Sequence, residues 1–146
     1  MKLGPQGISL IKSFEGLRLE AYLPTPDDVP TIGYGHTRAV AMGDTCTPEQ
    51  AEAWLLEDVA WAEDCVGRAI TAQLTQPEFD ACVSLCFNIG CKAFSGSTLA
   101  KLLNAGDYDE ASKQFVRWNK QAGKELAGLT RRRAAEAELF NKEDVA

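Results

Sequence analysis

The rhythm of apolar and polar positions changes twice along the chain. Between Gln6 and Ser13, Ile8, Leu10 and Ile11 fall at helical spacing, and Gly16 is placed to stop a helix shortly afterwards. The runs Arg18–Leu23 and Pro30–Tyr34 are short and either apolar or alternating. Pro24, Pro26 and Asp27-Asp28 supply turn chemistry between them, so the two runs predict a small hairpin.

Beyond Cys46 the helical period returns. Thr47-Pro48-Glu49-Gln50 combines a hydroxyl N-cap, a proline at the first helical position and a glutamine at the third. Leu55, Val59, Ala62, Val66 and Ile70 then trace one stripe, which predicts a single long helix over about 47–72. Thr75-Gln76-Pro77-Glu78 repeats the capping pattern and opens a second apolar helix through Leu85 to Ile89, closed by Gly90. Shorter helices are predicted over about 98–104, ended by Gly106, and over about 109–119, carrying Ala111, Phe115 and Trp118. A last helix is predicted over about 131–140 behind Thr130. The sum is an α+β domain, a minor hairpin beside a larger set of helices.

A chain of 146 residues with 45% hydrophobic and 25% charged content fits one globular domain. Its net charge of −6 argues against binding nucleic acid or anionic membrane through the overall field. Arg131-Arg132-Arg133 is the local exception, readable either as a basic groove or as a solvated helix face. The start of the chain has no apolar stretch of signal-peptide length, and no run reaches membrane-span length. The expectation is therefore synthesis as a soluble cytoplasmic chain without a signal peptide. To work outside the cytoplasm it would need something else to let it through.

The five cysteines, Cys46, Cys65, Cys82, Cys86 and Cys91, are odd in number and include no C-x-x-C pair. That is weak evidence for either a disulfide framework or a zinc site. Cys82 and Cys86 lie four apart among Phe79, Val83 and Phe87, and read as small buried apolar residues. His36 is the single histidine, which rules out a histidine-rich metal site. Neither a metal nor a cofactor is expected.

Reactive side chains concentrate between Glu15 and Thr37. Glu15 follows Phe14 and precedes Gly16 and Leu17, a setting that favours the protonated carboxyl a general acid needs. Its plainer reading is a helix-end glutamate paired with Arg18. Thr31 opens the string Thr31-Ile32-Gly33-Tyr34-Gly35-His36-Thr37, whose glycines allow close approach of the backbone to a ligand or a facing helix. Thr31 is otherwise an ordinary strand residue. Asn88, between Phe87 and Ile89 at a helix end, reads as a contact for a ligand amide or as a backbone cap.

The segment F-E-G-L-R-L-E-A-Y followed by P-T-I-G-Y-G-H-T closely resembles the signature of the phage-type lysozymes, glycoside hydrolase family 24. The resemblance continues through T-P-E-Q-A, F-D-A-C-V-S-L-C-F-N-I-G-C-K-A-F-S-G-S-T-L, F-V-R-W-N-K and R-R-R-A-A-E-A-E-L-F. It implies a single phage-lysozyme-like α+β domain: a hairpin lobe over about 14–46 and a helical lobe from about 1–13 and 75–146. The connecting helix over about 47–72 would join them, with the saccharide in the cleft between.

The implied activity is a muramidase, an endolysin. It would cleave the β-1,4 bond between N-acetylmuramic acid and N-acetylglucosamine in peptidoglycan and lyse the infected bacterium. Glu15 would protonate the departing sugar oxygen, Thr31 would help hold the attacking water, and Asn88 would contact an N-acetyl group. His36 would be a structural histidine pairing across its lobe.

One position departs from the family pattern of Glu, eight residues, Asp or Cys, five residues, Thr. Counted forward from Glu15 the middle position is Pro24; counted back from Thr31 it is Thr25. The nearest carboxylates are Asp27 and Asp28, with Asp28 the candidate base and Thr25 a candidate contact for water or substrate. Both are otherwise hairpin-tip residues. The implied partner is the peptidoglycan glycan strand, reached with the help of a separate pore-forming holin; no nucleic acid is expected, and the chain should be a monomer. The competing reading is a lysozyme-like protein that grips peptidoglycan without turning it over.

Overall fold

A computed structural model describes residues 1–144. The chain divides into two compact units, residues 11–60 and residues 1–10 with 61–146.

The first unit holds the last turn of α1 (Pro5–Glu15), strands β1 (Arg18–Tyr22) and β2 (Thr31–Gly33), and α2 (Pro48–Asp58). The predicted hairpin is present, with β1 antiparallel to β2, Arg18 opposite Gly33 and Tyr22 opposite Thr31. The other edge of β1 is also paired. Ala21 N–H donates to Asp44 O at 2.9 Å, and Cys46 N–H donates to Leu19 O at 2.9 Å. All three residues of β2 are buried. A Cβ at Gly33 would stand 3.1 Å from Ala51 Cβ, so the missing side chain is what lets strand and helix approach this closely.

The start of α2 follows the sequence pattern, with Gln50 N–H donating to Thr47 Oγ1 at 3.1 Å and Thr47 N–H to Gln50 Oε1 at 3.0 Å. The single helix predicted over about 47–72 is instead two, α2 and α3 (Ala60–Ala69). The break is Val59, at φ −84° and ψ −7°. A β-branched side chain crowds the preceding turn and is among the less comfortable helix residues. The apolar stripe survives the break: Leu55, Val59, Ala62, Val66 and Ile70 are all buried.

In the second unit α4 (Gln76–Ile89) is buried along most of its length and packs on α8 (Ala127–Phe140). Around it lie α5 (Cys91–Ser95), α6 (Thr98–Asn104), α7 (Tyr108–Ser112), and a minor hairpin of β3 (Lys120–Gln121) and β4 (Lys124–Glu125). The helix predicted over about 109–119 resolves into α7 and a 3₁₀ turn, Phe115–Trp118. The tighter turn eclipses residues three apart, bringing Phe115 and Trp118 to the same side. A buried carboxylate caps the start of α1: Gly4 N–H and Gly7 N–H donate to Asp80 at 3.0 and 3.2 Å.

The reading of the arginine triplet needs correction. The arginine triplet is neither a basic groove nor a solvated face. Arg131 is exposed, whereas Arg132 and Arg133 are buried around Glu136. Arg133 Nε lies 2.7 Å from Glu136 Oε1, Arg132 Nε 3.3 Å from Oε2, and Ser84 Oγ donates to Oε2 at 2.5 Å. Burial pushes the Glu136 carboxyl up, while Arg133, Ser84 and Arg132 pull it back. With two guanidiniums at hydrogen-bond range it is the ionised partner of both. The cysteine pattern left pairing open, and in the structure Cys65 and Cys91 form a disulfide joining α3 to α5. Cys82 and Cys86 are free and buried, and burial pushes the Cys86 thiol up to about 11.

Candidate active site

Glu15 is the final residue of α1, half-buried. The helix stops there because Gly16 takes the left-handed conformation, φ 74°, and donates its N–H to Lys12 O at 3.0 Å.

At the end of β2 the chain reverses through Gly33-Tyr34-Gly35. The loop is closed by His36 N–H to Ile32 O at 2.8 Å and Ile32 N–H to His36 O at 2.9 Å. Gly35 has φ 86°, and a Cβ built on it would stand 3.2 Å from Glu15 Oε1. The glycine string of the sequence therefore meets the acid directly: a loop residue without a side chain leaves the carboxylate its place.

His36 anchors the loop to α2. Its ring stacks on Trp54 with centroids 4.6 Å apart and an interplanar angle of 7°. Its Nδ1 lies 2.8 Å from Asp58 Oδ2, and Arg38 reaches the other oxygen at 3.7 Å. Trp54 and Asp58 are four residues apart on one helix face. That spacing was the available signal for the His36 partners, but sequence reasoning named neither residue.

Thr31 is buried, and its hydroxyl donates to Val29 O at 3.0 Å. Its proton is engaged, so toward any further partner its oxygen acts as an acceptor. Thr25 and Asp28 are brought together in the exposed turn: Thr25 Oγ1 donates to Asp28 Oδ2 at 3.0 Å and Asp28 N–H to Thr25 O at 3.0 Å. Asn88 belongs to the other unit, exposed in the last turn of α4. Arg18, named as the partner in the plainer reading of Glu15, stacks over Tyr22 at 4.0 Å. Lys12 and Glu52 pair between α1 and α2 beside this loop, a contact not foreseen from sequence.

A helix-end carboxyl lodged against a bare backbone, with a water-accepting hydroxyl in the same unit, has the makings of an acid-dependent hydrolase site. The phage lysozyme family profile matches residues 12–136, and the chain belongs to that family. It is 48% identical over 144 residues to the endolysin of Acyrthosiphon pisum secondary endosymbiont phage 1, covering 96% of this chain and 98% of that one. The endolysin of Salmonella phage P22 is 41% identical over 145 residues, covering 96% and 98%. The crystal structure of a P22 lysozyme mutant superposes with a TM-score of 0.89 at 41% identity, covering 97% and 99%. The muramidase domain of SpmX from Asticaccaulis excentricus gives a TM-score of 0.90 at 41% identity, covering 97% and 99%. The chain spans about half the length of the related endolysins of Bacillus phages PZA and B103. The fold is that of the phage lysozymes, helices with small antiparallel sheets. Among the described residues no helix is long and apolar enough to cross a membrane.

Proposed function

We propose that Glu15 is the general acid of a muramidase that hydrolyses the β-1,4 bond between N-acetylmuramic acid and N-acetylglucosamine in bacterial peptidoglycan. The enzyme class is that of the family: a lysozyme, acting on the cell wall. The assignment of side chains to steps is the proposal, and one observation carries it. The Glu15 carboxylate end lies against Gly35, where a built Cβ would stand 3.2 Å from Oε1.

In this reading Glu15 gives its proton to the departing glycosidic oxygen as positive charge develops on the sugar ring. Thr31 accepts a hydrogen bond from the attacking water, because its own proton is held by Val29 O. Asp28, steadied by the Thr25 hydroxyl, takes the water's second proton and replaces the acid missing from the family's middle position. Such an inverting arrangement needs room for a water between the two carboxyls, roughly 6.5–9.5 Å. Asn88 contacts an N-acetyl group. The protein is made in the host cytoplasm, acts as a monomer, and reaches the wall after a separate phage holin opens the inner membrane.

The test is a panel of Glu15→Gln, Thr31→Ala, Asp27→Ala and Asp28→Ala assayed on purified cell walls. General acid catalysis contributes about 10²–10⁴ in rate, so Glu15→Gln should lose at least a hundredfold. Near-normal turnover in that variant would end the assignment, and an Asp27→Ala defect with intact Asp28→Ala would move the base. Failure of the unaltered protein to clear permeabilised Gram-negative cells would favour a binding role instead.

A further inference from the structure

The ammonium group of Lys12 stands where three parts of the first unit meet. Lys12 and Glu15 are three residues apart in the last turn of α1, and therefore share a helix face. Lys12 Nζ donates to Glu52 Oε1 on α2 and forms an ion pair with it. The same nitrogen lies 5.6 Å from the ring centroid of Tyr34. Tyr34 is the centre of the loop whose next residue, Gly35, backs the Glu15 carboxylate, while Gly33 on its other side packs on Ala51, the neighbour of Glu52. The contacts close a circuit from the acid's own helix, through Lys12 and Glu52 to α2, and back through the loop to the acid.

We infer that Lys12, through Glu52, is a positioning residue for the general acid, holding the last turn of α1 at the distance that seats Glu15 against Gly35. The inference rests on the reading of Glu15 given above. Exposure separates this role from a stabilising one. The Lys12 side chain is 30% exposed and that of Glu52 46%, and pairs so open to water contribute little to folding. The Glu52 hydrogen bond, ahead of burial, raises the Lys12 pKa, so the ammonium stays charged through neutral pH. A misplacement of about 1 Å at a reacting group can cost up to a hundredfold in rate. Geometry, not stability, is what this pair controls.

The experiment measures kcat and KM of the full chain on soluble, uncross-linked peptidoglycan strands, with melting temperatures alongside, for Lys12→Met, Glu52→Gln, the double variant and Glu15→Gln. Each single variant should lose about tenfold or more in kcat, with KM within twofold and the melting temperature nearly unchanged. The double variant should be no worse than the weaker single, since one interaction is removed only once. Should Lys12→Met not fold, Glu52→Gln carries the same test with an isosteric change. A folded single variant with kcat within twofold of the parent, or a multiplicative loss in the double, overturns the inference. If Glu15→Gln is inactive while Lys12→Met is fully active, only the positioning role falls; if Glu15→Gln keeps its turnover, the acid assignment falls first.

Discussion

Replacing Gly35 by alanine asks whether the carboxylate is where the structure has it. At φ 86° a side chain costs about 1–2 kcal/mol. For 146 residues the unfolding entropy is about 0.3 kcal/mol/K, so the strain lowers the melting temperature by about 3–7 °C. The new methyl would lie 3.2 Å from Glu15 Oε1, inside the 3.4–4 Å of ordinary contact. A carboxylate at the end of a flexible side chain yields by a few tenths of an ångström, which translates into a fall of about three- to tenfold in kcat.

Gly33→Ala is the control. It sits at a similar φ, 65°, but its methyl meets Ala51 Cβ at 3.1 Å and Ala51 Cα at 3.4 Å, atoms fixed to the backbone of α2. Overpacking there adds about 1–3 kcal/mol, a further 3–10 °C. Thermal melts and initial rates of cell-wall clearing give both quantities. A Gly35→Ala protein with parental kcat, destabilised as much as Gly33→Ala, would refute the placement of Glu15 against the loop.

Three further outcomes are expected. Glu136→Ala strands two buried guanidiniums, a loss of about 3–5 kcal/mol, and should lower the melting temperature by about 10–16 °C; a drop below about 3 °C would mean the network bears no buried charge. Burial, opposed by hydrogen bonds from Gly4, Gln76 and Gly7, raises the Asp80 pKa, so its contribution to stability is greatest below the unfolded aspartate value of about 3.9 and declines as pH rises through the native value. Urea titrations of Asp80→Asn should therefore show the parent's advantage shrinking as pH rises from about 4, and an advantage that grows instead would contradict the sign. Reducing the Cys65–Cys91 bridge, which closes a separation of 26 residues, should cost about 3.5 kcal/mol, read as a fall of about 11 °C on adding a thiol reductant; an unchanged melt would show that the crosslink adds nothing.

Where the determining information lies within a few residues, the sequence is legible. Thr47 and Thr75 each cap a helix through a partner three positions on, and both helices begin where the pattern puts them. Gly16 and Gly90 end theirs with positive φ, and the runs flanking Thr25–Asp28 pair as a hairpin. The candidate acid and the glycine string were each visible in the sequence, though not their contact. Val59 is a local break that helical periodicity ran through, because a stripe of apolar residues records burial and not backbone dihedrals.

Tertiary structure decided the rest. Helical spacing marks Arg132, Arg133 and Glu136 as polar, yet Ser84, across 52 residues from Glu136, gives them a reason to be buried. Whether Cys65 bonds to anything depends on α5 bringing Cys91 within reach, and the Glu15 carboxylate finds its place only because a loop 20 residues away turns a bare backbone toward it. Local propensity acts over one or two turns of chain, so it selects helices, stops and turns. The burial of a charge, the pairing of a thiol and the seating of an acid are set by groups distant in sequence, whose proximity exists only after the chain has folded.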